Sequence, residues 1–330
     1  MSANKFTVTL RTPVGEENQK TINYNEFNSK KRENTSYFQT ELKWLNIVIF
    51  FILHFVAVYG LITFPYLRKK RTFLFEYFVA HLVGFGITAG AHRLWTHQAY
   101  KTKLPLKILL LYCFYTSGQL SLYNWVRDHR VHHKYSETRA DPHDSRRGFF
   151  FSHIGWILMK KHPDVLTRGR EIDMSDILSD RIVTFCEKYC VILNFVCCFL
   201  IPIIVPVYLW NESWYYSILT TMTRFIVTLN YTWSVNSIAH MWGSKPYNKG
   251  IAAVENKFVA HIAMGEGFHN YHHAFPYDYK CAELGNYSLN WTTYVIDMFA
   301  KIGWAYDLKQ PSKKLIKSVM EKRGEGNEFL

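Results

Sequence analysis

The chain has 330 residues, 48% of them apolar and 17% aromatic, with a formal net charge of +13. That is enough for a sizeable core, and a mean hydropathy of -0.12 conceals strong segregation into polar and apolar stretches. The charge comes with no nucleic-acid-binding motif, and none of the six cysteines forms a C-x-x-C pair, which argues against a disulfide framework or a thiolate metal site.

Residues 1–43 are polar and contain no apolar run of the kind a secretory signal needs. Four apolar segments of about 20 residues, the length of a helical membrane crossing, follow at about 44–64, 72–91, 189–210 and 213–237. A fifth stretch, 104–122, opens with Lys103 and Lys107 and reads as a helix lying in the membrane interface. The expected fold is all-α: a four-helix transmembrane stem with a cytosolic helical cap. A membrane domain over 44–310 is followed by a peripheral tail, 311–330. The sixteen Lys and Arg between His92 and Lys188 favour a cytosolic position for that stretch. Both termini then share its side. Against this stands the short loop Arg68-Lys69-Lys70-Arg71, which would carry four positive charges on the luminal side.

Nine of the fifteen histidines fall into four clusters at the ends of these segments: His92 with His97; His129, His132 and His133; Asn236 with His240; and His269, His272 and His273. The H-x-x-H-H spacing places all three side chains on one helical face. His92 and His97, five apart, do not share a face on a straight α-helix, so the helix is expected to end or bend between them. His54, His81, His143, His153, His162 and His261 read as ordinary surface or core histidines, with His153 and His162 suited to supporting a ligand from behind. Nine imidazoles exceed the four ligands of a structural zinc site and suffice for two metals. Imidazole suits iron, zinc, copper and nickel alike. An apolar substrate offers only C–H bonds, however, and their chemistry needs a redox metal, which points to iron.

These motifs resemble the membrane acyl-CoA desaturases, the stearoyl-CoA desaturase family. The likeness runs from about Asn46 to Asp307. It includes Gly86-Ile-Thr-Ala-Gly-Ala-His92, Trp125-Val-Arg-Asp-His129, Asp141-Pro-His-Asp-Ser-Arg-Arg and Gly265-Glu-Gly-Phe-His-Asn-Tyr-His-His273, and Lys301-Ile-Gly-Trp-Ala-Tyr-Asp307 is closest to insect members. The resemblance implies a di-iron, O2-dependent enzyme of the endoplasmic reticulum membrane that inserts a cis double bond into a fatty acyl-CoA, Δ9 being the first expectation. All nine clustered histidines would bind iron directly and Asn236 through a water. No His-Pro-Gly-Gly motif is present, so electrons would come from a separate cytochrome b5 and its NADH-dependent reductase.

By the same resemblance, Asn46, Arg127, Asp128, Lys160 and Lys161, with Trp233 nearby, match positions that contact CoA. Gln119, Trp125 and Thr232 match the bend of the acyl tunnel, and Ala80 and Gly84 match positions near its closed end. Lys160 stands where members often carry Arg, and Ala80 where they often carry a bulkier side chain. Lys160 and Lys161 read equally as headgroup-binding charges. The small residues read either as helix packing or as a tunnel altered for another chain length. A di-iron fatty-acyl hydroxylase and a non-catalytic lipid- or metal-binding membrane protein are the competing functions.

Overall fold

The computed structural model describes residues 40–283 and 287–326. The segment expected over 1–43 falls almost wholly outside them. Helix α1 is Trp44–Thr63. Helix α2, Lys70–Phe85, runs on without a break into wider π-helical turns over Gly86–Thr96. Next come α3 Leu104–Thr116 and α4 Leu122–Tyr135. The short helices α5 Pro163–Arg170, α6 Ser175–Ser179 and α7 Arg181–Lys188 lead to the long α8, Cys190–Trp210. Helix α9 is Trp214–Ser237. The remainder comprises α10 Lys257–Ile262, α11 His269–Ala274, α12 Trp291–Lys301 and α13 Lys313–Arg323. The one two-stranded ladder among the described residues pairs β1 Lys101–Thr102 with β2 Ala305–Tyr306.

Among the described residues three helices are long and apolar enough to cross a membrane: Trp44–Thr63, Lys70–Thr96 and Cys190–Trp210. Helix α9 has the length but a more polar composition, because it is the central helix. It packs against α1, α2 and α8, and its threonines and Arg224 face protein rather than lipid. The outer helices show the complementary pattern, with Phe51, Phe55 and Ile62 of α1 widely exposed. Within α8, π-helical turns at Phe195–Leu200 precede Pro202 and Pro206, whose missing N–H groups disturb the ordinary ladder.

The stretch expected to lie in the interface contains the shorter α3. Its Leu106, Leu110 and Phe114 are buried, while Leu104, Ile108 and Tyr112, one turn apart, are exposed. Gly118 and Leu120 then take positive φ, 69° and 61°, and turn the chain into α4. The Glu187 carboxylate receives the Ser121 hydroxyl at 2.7 Å and the Leu122 amide at 2.7 Å. An acid on α7 thereby satisfies the open N-terminus of α4, which carries three clustered histidines. The loop Arg68–Arg71 finds partial compensation: Lys69 pairs with the buried Glu212 at 2.6 Å, which also accepts from Thr72 at 2.6 Å. The C-terminal stretch is partly helical and docked, since Ile316 of α13 is buried against Tyr247, Tyr271 and Phe275. All six cysteines are free.

Candidate functional site

The π-helical turns decide the first cluster. A π-turn closes five residues back rather than four, and the His97 amide does donate to the His92 carbonyl at 3.1 Å. Five-residue spacing then puts both rings on one face, 4.9 Å apart between centroids. The expected end or bend is instead a change of helical pitch.

The nine clustered histidines gather into two groups: His92, His97, His129, His133 and His272 in one, and His132, His240, His269 and His273 in the other. The ligand atoms of each group all lie within 4.8 Å of one another. Each H-x-x-H-H motif is divided between them. His129 and His133 of α4 join the first group, and His132 turns to the second. On α11 the sense is reversed, with His269 and His273 in the second group and His272 in the first. The groups adjoin where His133 and His273 stack at 4.3 Å and 18°. Asn236, in the last turn of α9, precedes His240 of the following 3-10 turn by four residues and lines the cavity described below.

The donor geometry fits metal ions. Within the first group, Nε2 of His272 lies 3.0 Å from that of His92 and 2.9 Å from that of His133, which lies 3.2 Å from that of His129. In the second, His269 Nε2 is 3.0 Å from His240 Nε2 and 3.1 Å from His273 Nε2. Two nitrogens bound side by side to one ion at about 2.1 Å lie roughly 3.0 Å apart. Shared protons cannot satisfy such a chain of nitrogens, and the buried His97 Nε2 has no hydrogen-bond partner at all. One cation held by each group would satisfy these lone pairs. Burial, reinforced by neighbouring imidazoles, pushes His97, His129, His133, His240, His269, His272 and His273 well below the usual histidine range. They are therefore neutral, the form that binds metal.

Two carboxylates stand behind the rings. Glu266 lies 2.7 Å from His92 Nδ1 and pairs with the fully buried Arg93 at 2.8 Å. Burial alone would raise the Glu266 carboxyl, but His92 and Arg93 outweigh it and hold it down at about 2. Arg93 is fixed in turn by the Tyr279 carbonyl and the Thr293 hydroxyl. Asp141 accepts from His132 Nδ1 at 2.9 Å and from the His143 amide at 3.0 Å. Burial pushes the His143 ring down to about 4. His143, read from sequence as ordinary, thus belongs to the surroundings of the site. His153 and His162 do not: His153 bonds Ser237 and Asn230, and His162 caps α5 by accepting from the Asp164 amide. Glu266 and Asp141 were missed as acids, although both lie inside the motifs that carry the resemblance.

A cavity of about 500 Å³ leads away from the histidines between α2 and α9 and, at its far end, α1; its wall includes His92, His129, His269, Asn236, Trp125, Thr232, Ala80 and Gly84. At its head Trp125 Nε1 donates to Gln119 Oε1 at 2.9 Å, and the Gln119 amide donates to Thr232 at 3.3 Å. Trp125 also stacks on His129 at 5.1 Å. Ala80 and Gly84 line the cavity without closing it, since it continues past both to Phe73, Phe64 and Tyr66. The space left by Gly84 is taken by Met264, whose Sδ would lie 2.2 Å from an added Cβ.

The positions matched to CoA contact lie elsewhere. Residues 41–46 run beside 157–160: the Lys160 amide donates to the Glu41 carbonyl and the Asn46 amide to the Ile157 carbonyl. Lys161 pairs with Asp128, which also takes Arg127 at 2.9 Å. Asn46, Arg127, Asp128, Lys160 and Lys161 are therefore brought to one neighbourhood. Lys160 is exposed and paired with Glu41 at 2.6 Å. Trp233 is buried against Phe50 and His54.

The sequence matches the Fatty acid desaturase family over residues 71–288. The chain belongs to that family. It is 52% identical, over 88% of its length and 81% of the relative's, to an acyl-CoA Delta-9 desaturase of Acheta domesticus. An acyl-CoA Delta12-desaturase of the same organism is 46% identical over 97% and 89%. Stearoyl-CoA desaturase 5 of Bos taurus is 46% identical over 87% and 85%. Identity to relatives named for different double-bond positions is thus nearly level, so overall likeness does not rank those positions for this desaturase.

Proposed function

We propose that this chain is an O2-dependent fatty acyl-CoA desaturase that forms a cis double bond in a long-chain acyl-CoA, with Δ9 as the first position to test. The observation that carries the reading is the convergence of nine imidazoles, in two groups, at one end of an apolar cavity. Iron is the proposed metal, held by His92, His97, His129, His133 and His272 in one group and by His132, His240, His269 and His273, with Asn236 beside them, in the other. When bound, it supplies the oxygen activation that removing two hydrogens from an unactivated chain requires.

The chain's own residues do the rest. Glu266 and Asp141 hold His92 and His132 through Nδ1, leaving Nε2 free to bind. The Trp125–Gln119–Thr232 hydrogen bonds set a fixed wall beside the histidines, which orients one C–C bond of the acyl chain toward them. The apolar cavity excludes water from the reacting segment. Arg127, Lys160 and Lys161 offer cations for CoA phosphates outside the cavity, with Asn46, Asp128 and Trp233 as neighbours.

The same reading places the protein in the endoplasmic reticulum membrane with four crossings, α1, α2, α8 and α9, and with α3 in the interface. Both termini are cytosolic, and electrons come from cytochrome b5 and its NADH-dependent reductase. Residues 44–310 form the membrane domain. Expression in a desaturase-deficient yeast, followed by fatty-acid mass analysis with double-bond location, tests the proposal. Product two hydrogens lighter than the acyl substrate supports it. Gain of one oxygen indicates a hydroxylase, and metal-loaded protein without product indicates a non-catalytic lipid-binding role.

A further inference from the structure

The acyl cavity contains one feature out of keeping with an apolar chain. Part-way along it the wall carries both members of an ion pair, Glu76 of α2 and Arg224 of α9, with Oε2 and Nε 2.8 Å apart. Thr221 donates to the same carboxylate at 2.7 Å, and Arg224 donates to the Cys198 carbonyl at 2.6 Å. Charges at this depth in a membrane protein are costly and generally serve a function. Tying helices together does not require that the pair reach a cavity.

We propose that the Glu76–Arg224 pair is the chain-length stop of the acyl cavity, a reading that rests on the desaturase assignment. Arg224 is eight residues before Thr232, the residue at the cavity head. That is about 12 Å along a helix, and at about 1.3 Å per methylene from ordinary C–C bonds it holds roughly nine methylenes. The cavity continues beyond the pair to Thr220, a further turn of about 6 Å, so space alone does not end the chain there. The pair does. Glu76 and Arg224 are buried but line the cavity, so a methyl end pushed across them lies on polar atoms and gives nothing in return. A chain ending in a hydroxyl would not meet that penalty, because the hydroxyl donates to a carboxylate oxygen of Glu76. The chemistry therefore assigns two substrate classes: alkyl chains that end at the pair, and longer chains that carry a distal hydroxyl.

The test uses the full-length holoenzyme in yeast membranes, supplied with even-numbered acyl-CoAs and with their ω-hydroxy counterparts. For alkyl chains, conversion should fall at least tenfold over the single two-carbon step that carries the methyl across the pair. The ω-hydroxy chains should fall less than threefold over the same step. In Glu76→Leu/Arg224→Leu, which removes both charges together, the break should move to longer chains and the hydroxyl advantage should vanish, with double-bond position unchanged. A gradual decline in the unmodified enzyme, or equal falls for alkyl and hydroxyl chains, overturns the stop. Those wild-type arms decide even where the double variant does not assemble. Products from all chains with no break refute the stop alone, whereas no product from any acyl-CoA refutes the desaturase reading on which it rests.

Discussion

Glu266→Gln isolates the charge that anchors the first histidine group. The substitution keeps shape and one acceptor oxygen but leaves the Arg93 guanidinium, 0% exposed, without a counter-ion. Removing one partner of a buried pair costs about 3–5 kcal/mol, because the remaining charge is stranded. With an unfolding entropy of about 2.1 cal/mol/K per residue over 330 residues, that corresponds to a melting shift of roughly 4–7 °C. The same change weakens the support of His92 Nδ1, for which losses of about 10–100-fold in metal affinity are typical. Thermal unfolding of detergent-purified protein and metal analysis by mass spectrometry read the two effects separately. Glu266→Gln/Arg93→Met, which removes both charges at similar volume, should melt above the single variant while still binding metal poorly. A single variant that melts with the wild type and keeps its metal would show that the Arg93–Glu266–His92 chain supports nothing.

Ala80→Tyr should fill the cavity between the histidines and Glu76 and shift conversion toward shorter acyl-CoAs, with double-bond position unchanged. An unchanged chain-length profile in active enzyme would place the acyl chain elsewhere. A glycosylation tag inserted before Trp44 should stay unmodified in microsomes, and its modification would reverse the proposed orientation. Glu255 accepts from the Tyr271 amide at 2.8 Å, and burial pushes its carboxyl up to about 8. Its protonated form therefore supports the fold fully below about pH 4.5, and that support is lost as pH rises through 8. Glu255→Gln should accordingly gain melting temperature over the wild type from pH 5 to pH 8; a constant difference would contradict the assignment.

Segments and clusters were legible because lipid exposure writes long apolar runs and metal binding writes histidines. Helix α9 was legible as an apolar run long enough to span a bilayer, although its composition is that of a buried helix rather than a lipid-facing one. The pitch change that joins His92 to His97 left no such trace, since π-helical turns depend on packing around Gly86–Thr96 more than on residue type. The division of each H-x-x-H-H motif between two groups was equally hidden. Spacing fixes the shared face of His129, His132 and His133, but only the approach of α11 decides which ring turns to which neighbour. Glu266 and Asp141 lie beside clustered histidines in sequence, and a search for acids able to face a ring Nδ1 would have found them. Glu76 and Arg224 were out of reach, because 148 positions separate them and each sits alone in an apolar run.

Nine histidines are proposed to hold two iron ions beside an acyl cavity. Metal counting on purified, catalytically active full-length protein tests this most directly, with His133→Ala and His273→Ala measured alongside. Two irons per chain are expected in the wild type, and in each variant metal loss and no desaturated product despite normal membrane insertion. Active protein holding zinc or a single ion, or either variant desaturating at the wild-type rate, would contradict the proposal.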